Sequence, residues 1–375
     1  MSEESTTPDI VVSGHLCIDL IPQMGHVSAE ALASPGRLTE VGPLDLSTGG
    51  SVSNTGLALH SLGANVAFVS AVGGDLLGQL TLDFLKRRDP TLARHIKVRA
   101  GVSSSYTLVL SPERMDRVFL HCTGTNATFS SDDIDYTLLE NAKIFHLGYP
   151  PILPRLYADD GDELVHVYRR ARETGVIASM DMALPDPTGP SGQVDWRRIL
   201  ERVLPFVDIF VPSIEEALFM LHPSSSNHGR NWKAHLSMAS LHALTSELLA
   251  CGDMAVVGLK LGAYGVYLRS GSSVAIVRIQ DRFTNVGLVP NDAVYHPAFQ
   301  VDVVGTTGAG DAAYAALLYA LIEGVSLSEC AQWMCAVGAH NVEAADAISG
   351  VRSLQQTLNR IANGWALSTL VVPGE

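Results

Sequence analysis

Short β-branched runs alternate with longer stretches whose apolar positions recur at helical spacing, most regularly after residue 143. Strands are expected at 144–147, 176–180, 209–211 and 255–259, with helices at 161–174, 197–204, 214–220 and 238–250. Repeated strand–helix alternation argues for a parallel sheet covered on both faces, with ligands at the carboxyl ends of its strands. Upstream, 10–14 reads as a buried strand ending in a glycine turn. A helix at 55–62 is stopped by Gly63, a strand at 66–72 turns at Gly73-Gly74-Asp75, and 78–87 is helical. Residues 17–47, punctuated by Pro22, Pro35 and Pro43, lack helical period and suit a small sheet or an irregular excursion. Residues 98–122 alternate in β fashion around Ser111-Pro112-Glu113-Arg114, with 106–110 and 117–120 as hairpin arms. Residues 185–192, 223–231 and 282–296 read as surface loops, and helices at 327–342 and 354–363 close the core.

Composition narrows the partners. The charge of −14, from 25 basic and 39 acidic residues, argues against nucleic acid or an anionic membrane. The hydrophobic share of 47% suits a globular core and excludes long disorder. At 375 residues, one large α/β domain or two average ones fit. Cys17, Cys122, Cys251, Cys330 and Cys335 are scattered without a CxxC pair, as in a reducing compartment, and zinc would need closer ligands. The polar residues 1–8 are unlike a signal peptide, and no apolar run approaches the roughly 18 residues of a membrane span. A cytoplasmic protein is expected.

The stretch with the most chemistry runs from Val301 to Tyr314. A β-branched run feeds Gly305-Thr306-Thr307-Gly308-Ala309-Gly310-Asp311, which opens into an Ala/Leu-rich helix ending at Gly324. Such a turn leaves the first helical N–H groups unpaired, with the positive end of the macrodipole behind them, and forms an anion site. Gly308 and Gly310 admit a bulky anion close to the backbone. Asp311 beside that site suits phosphoryl transfer to a hydroxyl, although an acid in a first helical turn is also stabilising in its own right.

Five segments in order resemble the ribokinase-like (PfkB) family of carbohydrate kinases. They are Gly49-Gly50-Ser51-Val52-Ser53-Asn54 with Val72-Gly73-Gly74-Asp75, then 117–126, 208–216, Leu259-Lys260-Leu261-Gly262-Ala263-Tyr264-Gly265, and Gly305–Asp311, which is similar to the family's DTxGAGD. The resemblance spans nearly the whole chain. It implies one domain over 1–375: a doubly wound, three-layer α/β sandwich with a mainly parallel central sheet and a small β-sheet lid from about 15–47 and 98–124. It implies ATP and Mg²⁺ as cofactors and a sugar or related polyol as acceptor. A nucleoside acceptor, or a catalytically weak sugar- or nucleotide-binding regulator, stands as the alternative. A homodimer through the lid is a further expectation, since bare β edges favour pairing.

By the same resemblance, Asp311 is the general base and the backbone of Gly308, Ala309 and Gly310 the anion hole. Asp19, Gly49, Gly50 and Asn54 face the acceptor, although Asp19 also suits a turn and Asn54 a helix cap, and Asn126 suits either the acceptor or phosphate side or an ordinary turn. Glu216 positions Mg²⁺, with Ser213 where the family has Asn, although acids are expected at a helix start anyway. Lys260, Gly262, Gly265 and Thr306 border the nucleotide, with Lys260 meeting a phosphate or reaching solvent. Asp181 suits either the substrate side or a turn. Gly305 stands where the family usually has an Asp associated with a monovalent-cation site. It supplies no carboxylate, and Asp302 or Asp346 would have to substitute. His121 and His146 are expected to pack or cap, since no HxxxH pair occurs.

Overall fold

The computed structural model describes residues 7–25, 27–113, 118–223, 232–280, 282–283 and 287–373. The expected turn residue Arg114, the hairpin start Arg117 and most of the 223–231 loop lie outside these. Thirteen strands form two sheets among the described residues. In chain order they are β1 (Ile10–Gly14), β2 (Cys17–Pro22), β3 (Leu44–Gly49), β4 (Val66–Gly73), β5 (Ile96–Arg99), β6 (Tyr106–Leu110) and β7 (Val118–Cys122). The rest are β8 (Ile144–Gly148), β9 (Ile177–Asp181), β10 (Ile209–Phe210), β11 (Val256–Lys260), β12 (Val266–Ser270) and β13 (Ala293–His296).

The large sheet has the order β13-β12-β11-β10-β9-β8-β1-β4-β5. From β11 to β5 every neighbouring pair is parallel, and only β12 runs against the rest. Burial follows the alternation of strand side chains. Ile10 and Val12 join the core under helices Ser51–Leu62, Ala309–Glu323 and Leu327–Val342, whereas Val11 joins the opposite core under Asp162–Glu173, Trp196–Val203 and Met238–Cys251. Two apolar faces covered by helices make three layers.

The chain leaves β1 toward β4 and β5 on one side and toward β8, β9 and β10 on the other, so the order reverses at β1. Register then aligns Gly14, Gly148 and Asp181 at the carboxyl ends of β1, β8 and β9, with Ser213 bridged to Lys260 beyond them. That row is where open α/β sheets receive ligands.

The small sheet has the order β3-β2-β6-β7, two antiparallel pairs joined by a parallel one. It leaves the large sheet after only two residues, between Gly14 and Cys17. Val98 and Arg99, expected at the start of the second excursion, instead pair with Val72 and Gly73 in the large sheet. Within the first excursion, Ser28 caps a single helical turn, Ala29–Leu32. The polar stretch 282–296 ends in β13, so the loop expectation there is corrected. Its three half-exposed residues and one exposed residue carry little hydrophobic period, as suits an edge strand.

Candidate active site

The glycine turn is an open helix start. Gly308 is the N-cap of Ala309–Glu323 in the left-handed region at φ 75°, and no side chain caps the helix. A Cβ at Gly308 would lie 2.6–2.9 Å from Ala347. The Ala309 N–H reaches the Thr306 carbonyl at 3.3 Å, and the turn lines a cavity of about 750 Å³.

Asp311 sits at the floor of that cavity, 3% exposed. Three donors from distant segments reach its carboxylate: Asn54 Nδ2 and Thr55 Oγ1 at 3.1 Å each, and Tyr149 Oη at 2.6 Å. Burial pushes the Asp311 carboxyl up, against Tyr149, the charge of Lys260, Asn54 and Thr55. A base poised between these influences is what general base catalysis needs. Tyr149 and Thr55 are absent from the sequence reading. Tyr149 follows β8 in the left-handed region at φ 67°, a conformation a bulky residue adopts only when its surroundings impose it.

The helix bearing Asn54 starts earlier than expected, at Ser51, with Gly50 as its N-cap. Asn54 is therefore inside the first turns and is not a cap. Its Oδ1 is buried without a partner, an acceptor that an incoming hydroxyl would satisfy. Gly50 has φ 87°, and a Cβ there would lie 2.4 Å from His15 Nδ1. Gly49 lets the Asp19 carboxylate lie close, since a Cβ would meet its oxygens at 2.5 and 2.7 Å. Burial raises the Asp19 carboxyl, against contacts from Cys17 and Thr107. Asn126 behaves differently. Its amide donates to the Leu16 carbonyl at 2.9 Å and accepts from the Leu16 N–H at 3.5 Å, so both halves tie its turn to the start of β2. His15 and His121 meet through their Nε2 atoms at 3.3 Å beside this cluster, and burial brings His15 down to about 3. His146 packs inside and pairs with Ser179 at 3.0 Å.

At the other side of the turn, Lys260 neither reaches solvent nor stands alone. Its ammonium donates to Asp181 Oδ1 at 2.6 Å, and the side chain is 11% exposed. Burial alone would lower the Lys260 value, but Asp181 and Glu216 reverse this and raise it. Burial lifts the Asp181 carboxyl to about 7 against the pull of Lys260. A Cβ on Gly310 would lie 3.6 Å from the ammonium, so this charge abuts the anion turn. Asp181 thus belongs to the cavity rather than to an ordinary turn.

Ser213 and Glu216 form a capping box: the Ser213 N–H donates to Glu216 Oε2 at 2.6 Å, and its hydroxyl accepts from the Glu216 N–H at 3.2 Å. Both still line the cavity, and burial raises the Glu216 carboxyl. Among the described residues, no group of three His, Cys, Asp or Glu side chains could hold a metal. Gly262, at φ 57°, and Thr306 line the cavity too. Gly265 turns the backbone at φ 96°, where a Cβ would lie 2.0 Å from the His296 carbonyl.

Gly305 supplies no carboxylate to the expected monovalent-cation position. A Cβ at Gly305 would lie 2.9 Å from the carbonyl oxygens of both Ala344 and Ala345, so that position is closely packed and carries no carboxylate. Asp346 folds back on its own loop, accepting from the N–H groups of Ile348 and Ser349 at 2.8 and 2.6 Å.

Comparison with known proteins gives the family and the fold. The model of the "pfkB family carbohydrate kinase" family matches residues 7–354. A probable fructokinase-3 of Arabidopsis thaliana is 24% identical over 322 residues, covering 85% of this chain and 79% of that protein. Fructokinase-2 of Solanum lycopersicum is 25% identical over 365 residues, covering 95% and 96%. The ribokinase of Thermotoga maritima superposes with a TM-score of 0.69 at 18% identity, covering 95% of this chain and 100% of that one. The Arabidopsis thaliana ribokinase complexed with ribose and ATP gives 0.69 at 19%, covering 94% and 98%. The fold is ribokinase-like. With the family match running through the glycine turn and its helix, this chain belongs to the pfkB family of carbohydrate kinases, phosphotransferases with an alcohol group as acceptor.

Proposed function

We propose that this protein transfers the γ-phosphate of ATP to a hydroxyl of a sugar or related polyol. One observation carries the reading. A buried carboxylate, Asp311, lies one residue beyond an uncapped glycine turn on the floor of a cavity large enough for a nucleotide. The acceptor oxygen attacks the γ-phosphorus, its proton passes to Asp311, and ADP leaves with the bridging oxygen. The amides of the Gly308–Gly310 turn and the Lys260 ammonium receive the charge that spreads over the phosphoryl oxygens. Three donors already hold Asp311, and a carboxylate has about four lone-pair sites, so one remains for the acceptor hydroxyl. Glu216 is the carboxylate available to Mg²⁺ travelling with ATP, and the ion would offset phosphate charge.

Asp19, Gly49, Gly50 and Asn54 form the acceptor side. The small sheet of β2, β3, β6 and β7 serves as a lid that keeps water from the transferring group. The test is transfer from labelled ATP across a panel of sugars and nucleosides. Phosphorylation of sugars supports the reading. Transfer only to nucleosides makes the protein a nucleoside kinase, and ligand binding without turnover makes it a regulator.

A further inference from the structure

The segment after the last helix, Leu354–Ala362, reaches the cavity at Ser368. Leu367 pairs with Phe299 in an antiparallel bridge. The Gln300 N–H donates to the Ala366 carbonyl at 2.8 Å, and the Ser368 N–H to the Ala298 carbonyl at 2.7 Å. Trp365 stacks on Phe299 with centroids 4.6 Å apart and planes at 28°, and its Nε1 donates to the Gln300 carbonyl at 2.9 Å. Arg360, paired in two-pronged fashion with Glu343 at 2.8 Å, lies 3.7 Å over the Trp365 ring. Further on, the Val372 N–H reaches Tyr295 Oη at 3.1 Å, and Val372 is 6% exposed. Ala298, Phe299, Gln300 and Ser368 all line the cavity, facing Met334 and Cys335. The family match stops at residue 354, so residues 365–372 lie beyond it.

We propose that residues 365–372 are a docked wall of the nucleotide site that sets nucleotide affinity, with Trp365 as its positioning residue. This rests on reading the cavity as the ATP site. Trp365 backs the Phe299 ring, which is 5% exposed, and the bridge bonds hold Ala298–Gln300 in line. A planar base slotted between Phe299 and the helix carrying Met334 would in turn stiffen the bridge.

Three variants test it: Trp365→Ala, Trp365→Phe, which keeps the stack, and Ser368→Pro, which removes one bridge donor. Calorimetry with Mg·ATP and steady-state kinetics are read together. We expect the ATP Kd and KM to rise about tenfold in Trp365→Ala and Ser368→Pro, while Trp365→Phe and all acceptor KM values stay within about twofold. In the unaltered chain, adding a non-hydrolysable ATP analogue should slow hydrogen exchange at the Gln300 and Ser368 amides. Unchanged ATP affinity in both disrupting variants, or unchanged exchange, overturns the proposal and leaves the kinase reading standing. If the unaltered chain binds no nucleoside triphosphate, both fall together.

Discussion

Tyr149 donates its phenolic O–H to Asp311 Oδ2 at 2.6 Å, across 162 residues of chain. A hydrogen bond to a charged acceptor favours the charged form, so Tyr149 holds the carboxylate ready to receive a proton even though burial works the other way.

Removing that donor should move the pH profile. If Asp311 is the proposed base it acts deprotonated, so Tyr149→Phe should raise its pKa and shift the acid limb of kcat to higher pH. A limb that stays in place would mean that Tyr149 does not tune Asp311.

Asp311→Asn should separate activity from stability. Losing the base is expected to cost about 10²–10⁴ in kcat. The folded-state pKa of Asp311 lies above its ordinary value, so its contribution to stability is lost as pH rises through that value. At neutral pH the neutral amide relieves this, and the Tm of Asp311→Asn should equal or exceed that of the parent chain in calorimetry.

Lys260→Met should be costly because it strands Asp181, 1% exposed, without its cation. A loss of roughly 3–5 kcal/mol in urea unfolding is expected. Adding Asp181→Asn removes the stranded charge and should recover part of it. A double variant no more stable than Lys260→Met would show that the pair is not the source.

Monovalent cations should not matter. With Gly305 packed against two carbonyls and Asp346 engaged in its own loop, turnover should be equal in potassium and in tetramethylammonium salts of the same ionic strength. Gly305→Asp should not create a potassium response, and crowding at that position should lower stability by about 1–3 kcal/mol. A potassium-activated parent enzyme would refute this.

The parts legible from sequence are those carried by local chemistry. The glycine turn, its helix stop at Gly324 and the strand–helix alternation depend on residues close in the chain. Tyr149 was not legible, because nothing around Gly148-Tyr149-Pro150 points to a carboxylate 162 residues away. Lys260 looked free for the same reason, since Asp181 lies 79 residues upstream. Nor does sequence show that Leu16, 110 residues away, meets both ends of the Asn126 amide. β13 escaped because edge strands of mixed exposure lack a clear hydrophobic period.

Gly50 joins the end of β3 to the helix that begins at Ser51, and the segments on either side have different duties. Before it, Gly49 gives room to Asp19; after it, Asn54 and Thr55 grip Asp311. On the proposed reading, acceptor choice and proton transfer are thus wired in series through Gly50, at φ 87°. An engineer who reshapes substrate preference from the β3 side should see KM and kcat drift together. Thr107 on β6 lies opposite Asp19 and bonds its carboxyl, so changes made there should travel the same route.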